Sequence, residues 1–244
     1  SELVTVTATG YKVETNNGVL LIDKTTGDFS YTAAPGGSGN ADTFTYTIQD
    51  AFLGYRLFLQ FWNVFYGTLH FWITGYALVY LFRKQPARYS LWRNTIIFAT
   101  LVALIGFSWF PLMPPRLLDD CGQFGACASY GFVDTLATYG GLWSFDSGAM
   151  EQISNQYAAM PSLHFAWALW TFLVLYPHMK HRWSKILIAV YPWLTLFAII
   201  VTANHYWLDA IGGLVVLGGG YAIAWTLRDM LRLRLWTWRQ GWSR

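Results

Sequence analysis

Five long apolar segments constrain the fold of this chain more than any other feature. About 20 residues of helix cross a hydrocarbon core of roughly 30 Å, and the third segment is short unless neighbouring residues extend it. The segments are residues 55–82, 95–112, 165–176, 186–202 and 207–227. Because 55% of the 244 residues are hydrophobic and only 12% are charged, we predict an integral membrane protein, an all-α membrane helix bundle with about five transmembrane helices.

The distribution of positive charge predicts how this bundle is oriented. Lys and Arg near helix ends favour the cytoplasmic side of a membrane. The connections that would share one side of the bundle hold most of the 16 basic residues: Arg83, Lys84, Arg88, Arg93, Lys180, Arg182, Lys185, Arg228, Arg232, Arg234, Arg239 and Arg244. We therefore predict an outer N-terminus and an inner C-terminus, with residues 231–244 as a basic cytoplasmic tail.

The net charge of +3 is then explained by the basic residues on the cytoplasmic side of the bundle. Since no contiguous basic groove accompanies it, we expect no nucleic-acid partner and take the lipid bilayer as the main partner. The long outer loop, residues 114–160, contains Arg116 as its only basic residue, together with Cys121 and Cys127. An oxidising outer compartment would allow these cysteines to form a small disulfide, and two free thiols are the alternative.

Residues 1–50 have a different character from the rest of the chain. Alternating Val, Thr, Tyr and Phe between Asn-Gly, Thr-Gly-Asp and Pro-Gly-Gly turns predict antiparallel strands. The stretch "GVLLIDKTTGDFSYTAAPGGSGNADTFTYTIQD" resembles part of the cadherin-like and immunoglobulin-like repeats of bacterial adhesins. A full sandwich of that kind needs about 100 residues, so we expect a partial β-sandwich segment, a fragment or a fusion joined near Asp50, ahead of a membrane domain over residues 51–230.

Two histidines at helix ends are the strongest candidates for chemistry. His164 begins the third apolar segment, and the hairpin formed with the fourth segment returns the chain to the same face at His205. Asp209 follows His205 by four residues and would share a helix face with it. A carboxylate bonded to one imidazole nitrogen leaves the lone pair of the other nitrogen available. This arrangement favours His205 as a nucleophile oriented by Asp209.

The residues near His164 and the outer loop supply candidate phosphate ligands. Pro161 suits the first turn of a helix, and Ser162 with the following backbone N–H groups would face an anion at the positive end of the helix dipole. Arg116 could hold two phosphate oxygens at once. By contrast, His178 and His181 in "YPHMKHRW" are typical of a solvated turn. His70, inside the first apolar segment, favours a structural hydrogen bond, although it could also reach the site.

The motifs "PPRLL", "NQYAAMPSLHFAWALW" and "TANHYWLDAIGG" resemble the type 2 phosphatidate phosphatase superfamily over residues 56–227, and within it the branch of inositol phosphorylceramide synthase. The resemblance implies a phosphatase or head-group transferase at the outer face of the plasma membrane that needs no metal and no cofactor. It implies that His205 attacks phosphorus to form a phosphohistidine, Asp209 orients it and His164 protonates the leaving alcohol. Arg116 and Ser162 would bind the phosphate of a lipid-phosphate or phospholipid substrate.

The chain departs from the wider superfamily at three positions near these motifs. Leu163 replaces a Gly, and Ala198 and Ile199 stand where a Ser-Arg pair is expected. The phosphate clamp is therefore expected to contain fewer cations than in the commoner phosphatases. In this branch, hydrolysis and transfer differ only in whether water or an alcohol takes the phosphoryl group from His205.

Three other functions are compatible with parts of the pattern. His164, His205 and Asp209 could instead hold a zinc ion in a metal-assisted hydrolase. Ser162 with a histidine could serve an intramembrane serine protease, although no Gly-x-Ser-Gly-like turn surrounds it. The bundle could also be a non-catalytic scaffold for a membrane-anchored adhesin or a transporter, but transporters usually keep paired ionisable groups near the midplane.

Overall fold

The N-terminal strands form a small antiparallel sheet. The computed structural model describes residues 3–6, 10–15, 18–23, 29–33, 47–122, 125–127, 130–141 and 155–241. Strands β1 (Leu3–Val6), β2 (Gly10–Thr15), β3 (Gly18–Asp23) and β4 (Phe29–Ala33) pair in chain order. Residues 34–46 of the adhesin-like stretch lie outside the described residues, and residues 47–50, predicted as part of the β segment, are helical. The relation to adhesins stays a prediction.

The remainder of the described chain is helical. Its helices are α1 (Arg56–Val64), α2 (His70–Lys84), α3 (Pro86–Trp109), α4 (Thr135–Tyr139), α5 (Leu163–Leu175), α6 (Arg182–Val201) and α7 (Trp207–Gly241). A π turn over Phe65–Leu69 joins α1 to α2 without a break. Helix α7 extends through Gly241, so the backbone of residues 231–241, predicted as a tail, continues this helix.

Within the described residues, three helices are long and apolar enough to cross a membrane: Pro86–Trp109, Arg182–Val201 and Trp207–Met230. Helix α5 has 13 residues, about 20 Å at 1.5 Å per residue, which is shorter than a hydrocarbon core. Large apolar side chains such as Trp72 and Trp109 are exposed on outward faces. The chain is thus a helical membrane protein, whereas five spans and an outer N-terminus stay predictions.

The second apolar segment differs from its predicted bounds at both ends. Helix α3 begins at Pro86, nine residues before the predicted start, and ends at Trp109 rather than at residue 112. Proline is well tolerated at the first position of a helix, and the side chains of Arg88 and Arg93 are exposed. Long basic side chains can extend to water from a helix whose other faces are apolar. Because charged residues interrupt the apolar pattern there, the predicted segment missed the first two turns of this helix.

Helix α5 lies at the centre of the bundle, packed against α2, α3, α6 and α7. Its Trp170 is fully buried, and the indole Nε1 donates to the carbonyl of Trp92 on α3 at 3.0 Å. Two glycines allow close approach of α7 to its neighbours. A Cβ on Gly220 would lie 2.5 Å from the backbone nitrogen of Ala99, and one on Gly213 would lie 2.5 Å from the carbonyl oxygen of Ser162.

The segments outside the helices are also tied together. Cys121 and Cys127 form a disulfide, one of the two alternatives that the sequence left open. After α3, Leu112 pairs with the segment that precedes α5, donating its N–H to the carbonyl of Tyr157 at 2.9 Å and accepting the N–H of Ala159 at 3.2 Å. These bonds bring the loop before α5 beside the residues that follow α3.

Candidate active site

A cavity of about 200 Å³ lies where the N-terminal ends of α5 and α7 meet the loop after α3. The residues that give it polar character are Tyr66, Arg116, Asn155, Gln156, His164, Asn204 and His205. Two backbone bonds hold these segments together: Ser162 donates to the carbonyl of Asp209 at 2.9 Å, and Arg116 donates to the carbonyl of Ala203 at 2.8 Å. The cavity therefore combines residues from distant parts of the chain.

The imidazole of His205 is buried and has one defined tautomer. Its Nδ1 lies 2.7 Å from the carbonyl oxygen of Ala159. Because a carbonyl can only accept, Nδ1 must carry the proton, and Nε2 then presents a lone pair. A neutral imidazole with this tautomer can act as a nucleophile through Nε2.

Asp209 lies beside this imidazole but is not its nearest acceptor. Its Oδ2 is 3.4 Å from Nδ1 of His205 and accepts the backbone N–H of Tyr206 at 2.8 Å. The single proton on Nδ1 is closer to the carbonyl of Ala159, so a backbone group takes the orienting role predicted for the carboxylate. The fully buried Asp209 adds negative charge close to the ring, which would stabilise an imidazolium.

His164 is the second residue of α5 and faces the same cavity. Its ring centroid lies 5.7 Å from that of His205, with the two planes at 62°. The ring of Tyr66 stacks on it at 4.1 Å and 24°. The structure therefore places the two predicted imidazoles next to each other, with Tyr66 restricting the orientation of His164.

His70 also contacts the cluster formed by the rings of Tyr66, His164 and His205. The sequence analysis had favoured a structural hydrogen bond for His70 over a position at the site. It follows the π turn, and its Nδ1 donates to the carbonyl of Tyr66 at 2.9 Å, while its ring centroid lies 4.4 Å from that of His164. A π turn adds a residue to a helical turn and changes which side chains face inward. A histidine inside an apolar segment was the only signal, and it did not indicate which neighbour the ring would meet. His181 is exposed and His178 partly so, as expected for a solvated turn.

Arg116 is held rigidly at the cavity wall. Its side chain is 5% exposed, and Nη1 donates to Oδ2 of Asp134 at 2.6 Å while Nη2 donates to Oε1 of Gln156. Asp134 also caps α4 by accepting the N–H groups of Leu136 and Ala137. Bonds between a guanidinium and a carboxylate are strong and directional, so the charge is fixed in place beside the imidazoles.

Ser162 occupies a different position from the predicted one. Its hydroxyl is buried and accepts the backbone N–H of Phe165 at 3.4 Å as the N-cap of α5, and the residue is not one of those lining the cavity. Pro161 consequently precedes the cap instead of occupying the first turn. Leu163 and His164, the first two residues of α5, do line the cavity, so the helix start faces it without the serine side chain.

Three polar residues at or behind the cavity wall escaped the sequence analysis: Asp134, Gln156 and Asn204. Gln156 and Asn204 lie inside the quoted motifs but had no predicted role, and each of the three acquires its position from tertiary contacts. For metals, no group of three or more His, Cys, Asp or Glu in the described part of the chain is arranged to hold an ion.

Comparison with known proteins assigns this helical membrane protein to a family. A profile of the PAP2 superfamily matches residues 43–223, so the chain belongs to the PAP2 superfamily. The crystal structure of LpxE from Aquifex aeolicus is similar, with a TM-score of 0.53 and 15% identity over 78% of this chain and 96% of that chain. At this identity the likeness concerns the fold alone. Nothing among curated proteins matches the chain.

Proposed function

We propose that this protein is an integral membrane enzyme that transfers a phosphoryl group from a lipid phosphate or phospholipid head group through a phosphohistidine at His205. Membership of the PAP2 superfamily supports a membrane lipid phosphatase. The observation that carries the proposal is the forced tautomer of His205 in a polar cavity shared with His164 and Arg116. The branch of inositol phosphorylceramide synthase, which the motifs resemble, adds head-group transfer as the related reaction.

In the first step, Nε2 of His205 attacks phosphorus as the bond from phosphorus to the lipid oxygen breaks. Protonated His164 gives its proton to that leaving oxygen, and Asp209 stabilises the positive charge on the modified ring. Protein groups in such reactions chiefly position the reactants and neutralise oxygen charge. Arg116 is the cation that would face the phosphoryl oxygens.

In the second step, water attacks the phosphohistidine and the phosphorus–nitrogen bond breaks. His164, now neutral, takes the proton from the attacking water, which restores both histidines and releases inorganic phosphate. If the hydroxyl of an alcohol attacks instead, the product is a new phosphate ester. The same residues therefore support a phosphatase and a transferase.

The site is expected at the outer face of the plasma membrane. His164 lies in the first turn of α5, and Lys180, Arg182 and Lys185 follow the other end of that helix. Since basic connections favour the cytoplasm, the ends of α5 and α7 that form the cavity would face outward. This orientation would allow Cys121 and Cys127 to form their disulfide in an oxidising compartment.

The test is phosphate release from a panel of lipid phosphates by the full chain in detergent with EDTA present. We expect turnover of at least one lipid phosphate and a trapped phosphohistidine that is absent from His205→Ala. Added polyols, including inositol, would reveal transfer as a new phosphate ester. The proposal would be refuted if the chain neither hydrolyses any lipid phosphate nor transfers its phosphoryl group, or if His205→Ala retains full turnover.

A further inference from the structure

A buried amide next to Arg116 has a defined orientation. The side chain of Gln156 is 6% exposed and lines the cavity. Its Oε1 accepts from Nη2 of Arg116. A guanidinium has only donors, so the oxygen of the amide must face Arg116 and the NH₂ group must point elsewhere. The ambiguity between oxygen and nitrogen that usually affects glutamine is thus removed by its partner.

That NH₂ group is buried without a hydrogen-bond partner among the described residues. Buried donors are nearly always paired, and an exception points to a ligand or a water that the donor serves. Asn204, the other buried amide of the cavity, provides the contrast. Its Nδ2 donates both to the carbonyl and to the hydroxyl of Thr202, so both of its N–H donors are used within the protein.

The surroundings define which ligand would suit this donor. Gln156 and Arg116 are linked to each other and share the cavity with His205, whose Nε2 carries the lone pair. Donors beside a nucleophile are complementary to the oxygens of a phosphoryl group.

We propose that Gln156 is a phosphate-binding residue: its NH₂ group donates to a phosphoryl oxygen while its carbonyl oxygen holds Arg116. This inference rests on the proposed function, because it assigns a ligand to the same cavity. Phosphate would then be bound by a linked pair of residues, the cation Arg116 and the amide of Gln156. The sequence had predicted Arg116 and Ser162 as the phosphate ligands.

Two substitutions separate the donor from the acceptor. Gln156→Glu keeps an oxygen for Arg116 and loses the N–H donor, whereas Gln156→Met loses both. A hydrogen bond to a charged group is typically worth a factor of roughly 10 to 100. We therefore expect Gln156→Met to weaken binding of orthovanadate and inorganic phosphate about 10-fold, and Gln156→Glu about 100-fold because its carboxylate also repels the phosphate oxygens. Asn155→Glu places the same charge on an exposed neighbour that also lines the cavity and should change affinity less than about 3-fold because exposed charges are screened.

Affinity is measured by inhibition of lipid-phosphate turnover and by direct titration in detergent, with the thermal midpoint showing that each variant is folded. If Gln156 only positions Arg116, Gln156→Glu will lose no more affinity than Asn155→Glu, which carries the same added charge, and the inference is overturned. Glutamine-dependent phosphate binding without turnover of any lipid phosphate would support this inference and refute the proposed reaction.

Discussion

The two walls of the cavity are built in different ways. The helix wall carries His164 at the start of α5 and His205 just before α7. Ring stacking holds the imidazole of His164, and one backbone carbonyl holds that of His205. The loop wall carries Arg116 and Gln156, which are held by each other and by Asp134. His164 thus lies in the first turn of α5 and His205 in the short turn before α7, whereas Arg116 and Gln156 lie in the longer segments between helices.

This difference indicates how each wall tolerates change. Backbone packing sets the helix wall, so a shift of α5 or α7 would move both imidazoles. Side-chain hydrogen bonds set the loop wall, so a substitution there should alter phosphate affinity more than the position of the nucleophile.

His205→Ala should have the largest effect. Without the nucleophile no phosphohistidine can form, and turnover of a lipid phosphate should fall by at least about 10⁴-fold. Phosphate release and acid-labile phosphate on the protein measure the loss. His181→Ala removes an exposed histidine outside the cavity and should match the wild type; equal losses in the two variants would contradict the assignment.

His164→Ala should reduce turnover by about 10²- to 10⁴-fold, because the leaving alcohol then departs without a proton. A phosphate ester with a strongly acidic leaving alcohol needs no such proton. Comparison of the two substrates in the same preparation tests the role, since the deficit should shrink markedly with the activated ester. An equal deficit with both substrates would assign His164 to the structure of the helix wall only.

Arg116→Lys should lower kcat/KM by about 100-fold, because an ammonium keeps the charge but cannot reproduce two fixed N–H bonds to Asp134 and Gln156. The expected change lies mainly in KM and in phosphate inhibition. Steady-state kinetics over a range of lipid concentrations separates the two parameters. If kcat alone collapses with KM intact, the loop wall also positions the nucleophile and the distinction between the walls fails.

Gly213→Ala tests the backbone packing of the helix wall. Its Cβ would lie 2.5 Å from the carbonyl oxygen of Ser162, so α5 and α7 must separate, destabilising the protein by about 1–3 kcal/mol. We expect a lower thermal midpoint and roughly 10-fold lower kcat/KM from misplaced imidazoles. Gly219→Ala is the matched control in the same helix, because nothing lies within 4 Å of its added Cβ; similar behaviour of both variants would refute the packing argument.

Ser162→Ala should have the smallest effect on activity. The hydroxyl caps α5, so its loss should destabilise the helix start by about 1 kcal/mol and change kcat/KM less than about 3-fold. Thermal unfolding and steady-state kinetics are the measurements. A KM raised tenfold with an unchanged thermal midpoint would instead restore Ser162 as a phosphate ligand.

The sequence anticipated the helix wall better than the loop wall. The approach of His164 and His205 follows from a helical hairpin, which returns the chain to its starting side whatever the details of packing. The start of α7 at Trp207 was predicted correctly, whereas its end at Gly241 lies beyond the predicted residue 227. The start of α3 was predicted wrongly because exposed Arg88 and Arg93 interrupt the apolar pattern without interrupting the helix.

The apolar segments and the motifs were enough to predict the membrane character, the superfamily and the pairing of two imidazoles at one end of the bundle. The carbonyl of Ala159 beside His205, the bonds of Gln156 and Asp134 to Arg116, and the capping of α5 by Ser162 became visible only in the folded chain. The hydrogen bonds of His205 and Arg116 join residues 46, 40 and 18 positions apart. Local patterns cannot specify such bonds, because a loop's path and the one proton of an imidazole are settled only when distant segments have packed together.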